Sequence, residues 1–204
     1  MSLRKSLFAA MYDRMSRKSE DAGLRAMRRD LLAEAGGRVL EIGGGTGANL
    51  PNYGGEVESL VLTEPEPAML RRLQRKASEQ APLARVVRAP AEDTPFEDDS
   101  FDTVVTTLVL CGVDDQAQAL REMRRVLRPG GRLLFIEHVR SDDPKLARFQ
   151  DRINWLNRLV VHCDCNRSTL AAIEATGFTI SHLEQTSLPK APKFVRPLIV
   201  GAAV

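Results

Sequence analysis

The sequence has no apolar run approaching the length of a membrane span, so it predicts no transmembrane helix. Cysteine is scarce. The three residues Cys111, Cys163 and Cys165 make no even disulfide framework and point to a reducing compartment, by default the cytoplasm. Excess charge is small, a net +2, and gives no general reason to expect a nucleic-acid partner. The first residues, Met1 to Met15, are basic but lack a long apolar core and a cleavage-site pattern, which excludes a secretory signal. Internal repeats, low-complexity tracts and domain linkers are missing too. What remains is 204 residues of ordinary globular composition, enough for one domain with a full core and short for two. Nothing in it fixes an oligomeric state.

One stretch organises the rest: Val39-Leu40-Glu41-Ile42-Gly43-Gly44-Gly45-Thr46-Gly47-Ala48-Asn49. It reads as a buried strand running into a glycine turn that opens a helix, whose free N–H groups would favour a negative group on a ligand. Glycine permits positive φ and lets a ligand approach bare backbone. Gly43, Gly45 and Ala48 also satisfy the dinucleotide fingerprint, so the glycines alone do not select the ligand. Glu41 adds information. An acid within an apolar strand is costly to bury without a partner, and at this distance from the turn it suits a ligand carrying an ammonium or other cation.

Residues 1–34 read as helical, with Leu24, Met27 and Leu31 at helical spacing after Phe8, Met11 (or Tyr12) and Met15. The basic cluster here (Arg4, Lys5, Arg14, Arg17, Lys18, Arg25, Arg28, Arg29) reads as a solvated face, with peripheral membrane contact as the alternative. Tyr12 could sit over a ligand if this segment folds across the site as a lid. Strands follow at Val57–Thr63, Ala84–Ala89, Phe101–Leu110 and Arg132–Val139, the fourth of the sheet being central. Between them lie a helix with Met69, Leu70 and Leu73 inward and a helix capped by Asp114 or Asp115, carrying Leu120, Met123 and Leu127 and stopped by Pro129-Gly130-Gly131. Five β–α alternations predict a doubly wound α/β sheet, whose ligands bind beyond the carboxyl ends of the strands. Gly43–Gly47, Glu64-Pro65, Ala91-Glu92, Thr107-Leu108 through Cys111, and Glu137-His138 all fall there. Beyond Ser141, Leu146, Phe149, Ile153, Leu156 and Val160 mark a long amphipathic helix. A polar loop at 162–168, a short helix at 169–176 and two strands at 178–183 and 198–203, an antiparallel pair at the sheet edge, complete the chain.

Motif for motif, residues 38–139 resemble the class I S-adenosylmethionine (SAM)-dependent methyltransferases: the glycine turn, Glu64, Ala91-Glu92, Phe101-Asp102 and Leu127-Arg128-Pro129-Gly130-Gly131 stand in that family's order. The resemblance implies a Rossmann-like seven-stranded sheet, mostly parallel with an antiparallel edge strand, and SAM as cofactor, released as S-adenosylhomocysteine. It implies that Gly43, Gly45 and Gly47, with Gly44 and Asn49 beside them, cradle the methionine part. Glu41 would face its amino group directly or through water, Glu64 would hold the ribose hydroxyls, and Ala91-Glu92 would border adenine. A narrower resemblance rests on Gly47-Ala48-Asn49, Thr107-Leu108-Val109-Leu110-Cys111, Glu137-His138-Val139 and Val195-Arg196-Pro197 with Gly201. These look like the alkyl-thiol methyltransferases of eukaryotic membranes and their soluble bacterial relatives. Cys165-Asn166-Arg167-Ser168 is similar to their Cys-x-x-Thr-Arg region with a shorter spacing, and their membrane-anchoring segment is not seen, so a soluble enzyme is expected.

The expected function is methyl transfer to a small hydrophobic acceptor, thiol favoured and O or N open; phospholipid amines and quinone rings are the alternatives. A SAM-binding regulatory protein without chemistry is the alternative of another class. A nicotinamide dehydrogenase would leave Glu41 unexplained and would need a substrate-binding half for which the chain is short. His138, His162 and Asp164 are the candidates to assist catalysis, and Tyr12, Cys111, Cys165 and Arg167 to meet the acceptor. Each histidine is also explicable as a structural residue, and Asp164 as a helix cap. Cys163-Asp164-Cys165 is tighter than the usual metal-binding spacing and has no second pair, so no metal is expected. The plan is one domain over 1–204: a helical lid (1–36), a SAM-binding core (38–139) and a substrate side (140–204).

Overall fold

The computed structural model describes residues 12–14 and 16–204, so the expectations placed on Arg4, Lys5, Phe8, Met11 and Met15 lie outside the described residues. A single π-helical turn, Glu20–Leu24, runs into α1 (Arg25–Leu32). Gly23 stands at φ 144° within that turn, so the early helical stretch is kinked there. Leu24, Leu31 and Leu32 are buried. Arg28 lies one turn from Leu24 and from Leu31 on the same face, and it is buried with them. The basic cluster is therefore not wholly a solvated face.

The strands β1 (Gly37–Ile42), β2 (Val57–Thr63), β3 (Arg85–Val87), β4 (Phe101–Thr107) and β5 (Leu127–His138) pair in parallel. Helix α2 (Pro67–Gln80) connects β2 to β3, and α3 (Gln116–Val126), capped by the Asp115 carboxylate on Gln118 N, connects β4 to β5. Residue 127 begins β5 rather than ending α3, and Pro129-Gly130-Gly131 lie in the opening of that strand. After β5 come α4 (Pro144–Val161), α5 (Thr169–Ala175), β6 (Ile180–Ser187) and β7 (Pro197–Ala203). β7 inserts between β5 and β6, antiparallel to both, and completes the order β3-β2-β1-β4-β5-β7-β6 with β4 in the middle.

The glycine turn does not open a helix. Only a 3-10 turn, Leu50–Asn52, follows it before β2. Pro51 biases Leu50 away from the α region, and Gly54-Gly55 would cost any longer helix too much backbone entropy. No helix N-terminus is available to a ligand here.

Strand alternation sorts the core into two layers. Leu40, Ile42, Val104, Leu133 and Phe135 pack with α3 and α5, while Val39, Val105, Leu134 and Ile136 pack with α1 and α2 on the opposite face. Glu41 shares the face of Val39 and thus points toward α1; Glu137 shares the face of Phe135.

Helix α4 is amphipathic, but much of its apolar stripe turns outward, with Leu146 and Ile153 half-buried. Phe149, Leu156 and Val160 are exposed, as are Leu159 and, at 68 %, Trp155, whereas Gln150 and Asn157 are buried. The cause is the irregular chain beneath. Gln150 Nε2 donates to the carbonyls of Val139, Cys165 and Phe194, its Oε1 accepts from Ser141 N–H, and Asn157 Nδ2 donates to Cys163 O. Unpaired, the buried carbonyls of Cys163 and Cys165 would each cost about 1–3 kcal/mol, which outweighs burying a few half-exposed aliphatics. Among the described residues no helix is long and apolar enough to cross a membrane.

Candidate active site

Gly43, Gly45 and Gly47 all take positive φ, at 66°, 57° and 80°. Two of them are also demanded by packing. A Cβ on Gly43 would stand 2.6 Å from Val109 Cγ2, and one on Gly47 2.7 Å from Leu50 Cδ1. Gly45 differs: the nearest atom to its Cβ would be Gly43 O at 3.9 Å, so its bare side faces open space. That space is a cavity of about 550 Å³ at the carboxyl ends of the strands, lined by Gly43 and Gly45 on one wall. Glu64, Pro65, Ala91 and Glu92 line it further along, and Thr107, Leu108 and Val109 form its floor. Tyr12, Val160, Val161 and His162 close it from outside. A larger cavity, about 760 Å³ between the 139–143 segment, α5 and β6, touches none of these residues.

Glu64 ends β2 as expected and is almost fully buried. Its Oε2 accepts from Gly45 N and its Oε1 from Glu66 N, both at 2.9 Å, so one carboxylate holds the glycine loop against the next turn. Burial pushes its pKa up and the two N–H donors pull it back. Glu92 lines the cavity, and its Oε1 accepts from the N–H groups of Asp114 and Asp115 just before α3.

Glu41 stands behind the glycine loop rather than in the cavity wall. Tyr53 Oη donates to its Oε2 at 2.6 Å and Asn49 Nδ2 to its Oε1 at 3.0 Å. Arg28 Nη1 reaches Asn49 Oδ1 and Thr107 Oγ1, and Arg28 Nε reaches Glu20. Burial raises the Glu41 pKa, and the Tyr53 hydroxyl and Arg28 oppose that rise. This network ties α1, β1 and β4 together beneath the loop. Gly44 and Gly47 lie outside the cavity wall as well, closing the turn through Gly44 N–H to Thr63 O and Gly47 N–H to Gly44 O.

The sequence reading missed Arg28 and Tyr53 as site residues, and placed Glu137 beside His138 at the border of the acceptor pocket. The spacing of Leu24, Arg28 and Leu31 was the available signal for Arg28. Glu137 is fully buried; its Oε1 accepts from Thr106 Oγ1 and Val109 N, and its Oε2 has no partner among the described residues. Burial pushes its pKa up to about 6, against the pull of the Val109 and Leu110 N–H groups. It pins the turn after β4, where Leu108 holds the left-handed region at φ 60°.

The expected acceptor-side residues divide. His162, a left-handed cap on α4, lines the cavity. Asp164 does not: its carboxylate is buried and engaged by Asn154, Arg158 and Arg167, which makes it a poor proton acceptor. Arg167 clamps Leu110 O and Val113 O, so it holds the loop after β4 instead of facing an acceptor. Cys165 turns its sulfur to Asn154 and is fully buried. Cys111, His138 and Cys163 instead come together, with Cys163 Sγ 3.4 Å and Cys111 Sγ 3.7 Å from His138 Nδ1. A hydrogen bond between the two thiols holds Cys163 down and Cys111 up in pKa. At the near end, Thr46 Oγ1 donates to Asp13 Oδ1 at 2.6 Å and Tyr12 packs on Ala68 and Met69.

Comparison with known proteins agrees with this crevice. Residues 40–135 match a methyltransferase domain. The chain is 36 % identical to human thiol S-methyltransferase TMT1A, over 81 % of this chain and 70 % of that protein. To human thiol S-methyltransferase TMT1B it is 35 % identical, over 97 % and 84 %. Ubiquinone/menaquinone biosynthesis C-methyltransferases and a phosphatidylethanolamine N-methyltransferase are also among the relatives. A SAM-dependent methyltransferase of Thermotoga maritima has the same fold, with a TM-score of 0.72 at 21 % identity over 100 % of this chain and 99 % of that one. The cavity fits that cofactor on its own geometry. Gly45 leaves room where a Cβ would intrude, Glu64 offers a buried carboxylate at the end of β2, and Ala91 and Leu108 give apolar walls. Fold, relatives and cavity converge on one crevice: the chain belongs to the class I SAM-dependent methyltransferases.

Proposed function

We propose that this methyltransferase acts on the sulfur of a small hydrophobic thiol. The kinship with two named thiol S-methyltransferases, one of them spanning nearly the whole chain, carries the reading. The cavity supports it: its outer side, from Val109, Gly112 and Val113 to Val160 and Val161, is largely apolar. Asp164, the acid expected there, is consumed by two arginines. A thiol ionises close to neutral pH and needs less help from a base than a phenol does.

Bound SAM supplies a methyl group already activated on a sulfonium, which leaves the chain to orient, desolvate and handle a proton. Gly43 and Gly45 would border the methionine part, with Gly47 closing the turn behind them, Glu64 would accept from the ribose hydroxyls, and Ala91 and Glu92 would border adenine. Glu41 would act through Asn49 and the glycine loop. Tyr12, beside the Asp13–Thr46 hydrogen bond, would lie over the bound ligand as part of a lid. His162 and Asp114 are side chains able to handle a proton at the mouth on the acceptor side. Three free, buried cysteines suit a reducing compartment such as the cytoplasm.

The test is a panel of alkyl thiols, phenols and amines incubated with the purified chain and SAM, with products read by mass spectrometry. S-methylation of thiols is expected to exceed O- or N-methylation in kcat/KM by about tenfold or more. Methylated phenol or amine with inert thiols refutes the thiol assignment; tight SAM binding with no turnover on any acceptor favours a regulatory protein. A second reading, a phospholipid amine acceptor, is favoured by the exposed apolar face of α4, since Val160 belongs both to that face and to the cavity rim. It predicts activity that rises sharply on anionic vesicles.

A further inference from the structure

We propose that Cys111 Sγ, His138 Nδ1 and Cys163 Sγ form a three-ligand Zn²⁺ site beside the cofactor cavity, its fourth position open to the sulfur of the acceptor. The second half of that statement rests on the thiol reading above; the first half does not.

The three donor atoms lie within 4.8 Å of one another. Ideal tetrahedral zinc, with Zn–S about 2.3 Å and Zn–N about 2.0–2.1 Å, places a sulfur and a nitrogen ligand about 3.6 Å apart. Here the two sulfur–nitrogen separations are 3.4 and 3.7 Å. The two sulfurs at Nδ1 are the ring's polar partners, since Nε2 is buried without one among the described residues. Whatever orients the ring acts at Nδ1. Soft thiolates with an imidazole select zinc over the oxygen-seeking cations, and two thiolates neutralise its charge, so the buried site carries no net charge. Three protein ligands leave one position for an exchangeable group, as in catalytic zinc sites.

The ligands are held from three separate parts of the chain. Cys111 lies in the turn after β4, His138 ends β5, and Cys163 lies in the loop after α4. Asp164 N–H donates to Cys111 O at 2.7 Å and Asn157 Nδ2 to Cys163 O at 2.6 Å. Gly112 allows this closeness, since a Cβ there would stand 2.9 Å from His162 O. Gly112 and His162, the immediate neighbours of Cys111 and Cys163, both line the cofactor cavity. An open coordination position between these loops is therefore next to where a methyl acceptor must stand. A thiol entering it forms a Zn–S bond, displaces a water and releases its proton to solvent, which leaves a thiolate held in place.

The experiment measures metal in the full chain, purified without chelator and then dialysed against Zn²⁺ and against buffer, by mass spectrometry of the elements. About one zinc per chain is expected, with Cys111→Ser and Cys163→Ser each falling about tenfold or more while Cys165→Ser keeps its zinc. SAM binding of each variant, measured by calorimetry, verifies that it has folded. Cobalt substitution then reads the fourth position: adding an alkyl thiol should intensify the thiolate-to-metal charge-transfer band. No retained zinc in folded wild type overturns the site, as does a Cys111–Cys163 disulfide seen as a chain lighter by two hydrogens. Zinc retained with no cobalt response to thiols overturns the open position alone. Undiminished thiol turnover by chelator-stripped enzyme overturns the acceptor's coordination to the metal and leaves the thiol reading standing.

Discussion

Replacing Glu64 by glutamine keeps the packing at the end of β2 and changes only what the side chain can accept. The carboxylate takes the Gly45 N–H and the Glu66 N–H on separate oxygens, both at 2.9 Å. Glutamine retains one acceptor and sets an amide donor against the other N–H. Losing a charge-assisted bond costs about 1.5–3 kcal/mol, partly offset because a neutral amide escapes the burial that already raises the Glu64 pKa. A net loss of about 1–2 kcal/mol in the ligand-free chain should follow. Binding should lose more. If both ribose hydroxyls donate to this carboxylate, an amide in its place cannot serve both, and about 1–3 kcal/mol corresponds to a Kd roughly 5–150-fold higher. Thermal unfolding without ligand reads the first quantity and calorimetry the second. S-adenosylhomocysteine has the same ribose without the sulfonium charge, so Glu64→Gln should weaken SAM and S-adenosylhomocysteine by the same factor. Unchanged affinity for both refutes the ribose role. Weakened SAM alone would show that the carboxylate acts through its charge on the sulfonium.

The two glycines of the loop should respond differently: Gly43→Ala meets both positive φ and Val109, and is expected to cost about 2–4 kcal/mol of stability. Gly45→Ala meets only its φ, about 1–2 kcal/mol, yet should abolish measurable SAM binding, and equal binding by the two variants would contradict the cradle. Glu137, with a pKa raised from 4.5 to about 6, binds its proton more tightly in the folded chain, so stability should fall by about 2 kcal/mol as pH rises through that window. Urea midpoints of wild type and Glu137→Gln across pH 4.5–6.5 test this, and parallel profiles would remove Glu137 as the cause. Asp164→Asn leaves Arg158 and Arg167 facing an amide, and should cost about 2–4 kcal/mol while the pH profile of kcat stays in place. A shifted profile would return Asp164 to the chemistry.

What the sequence revealed was what local periodicity and backbone chemistry dictate. Alternating apolar residues fixed the strands, glycine and Glu64 marked the strand ends, and the parallel order brought those ends into one crevice. The helix expected after the glycines was a local error of another kind, since Pro51 and Gly54-Gly55 were there to be read against it. Helix α4 shows a deeper limit. A spacing of three and four says which residues share a face, not which face turns inward. Leu156 and Val160 satisfy the pattern equally well inside or outside; the carbonyls of Val139, Cys163 and Cys165 decide, and they belong to segments outside the stripe. Arg28 is the same problem in reverse, a charge on an apolar face whose partners Asn49 and Thr107 arrive from two other elements.

The sulfur chemistry follows that logic one level further. Cys163 and Cys165 are neighbours in sequence, so spacing rules set them together and find no metal pattern. In the fold Cys165 goes to Asn154 on α4, and Cys163 to His138 at the end of β5. The same inward-turned amides cause both: Gln150 holds Cys165 O and Asn157 holds Cys163 O, which fixes the loop residue by residue against the helix. Turning those amides in turns Trp155 and Leu159, on the opposite side of the helix, out, and Val160, exposed near the helix end, lies at the cavity. The polar face that places Cys163 near Cys111 and the apolar surface at the entrance are therefore consequences of one choice. Moving Asn157 or Gln150 should disturb the Cys111–His138–Cys163 separations before it disturbs the sheet, because among the described residues the sheet makes no hydrogen bond to Asn157 and meets Gln150 only beyond the last residue of β5.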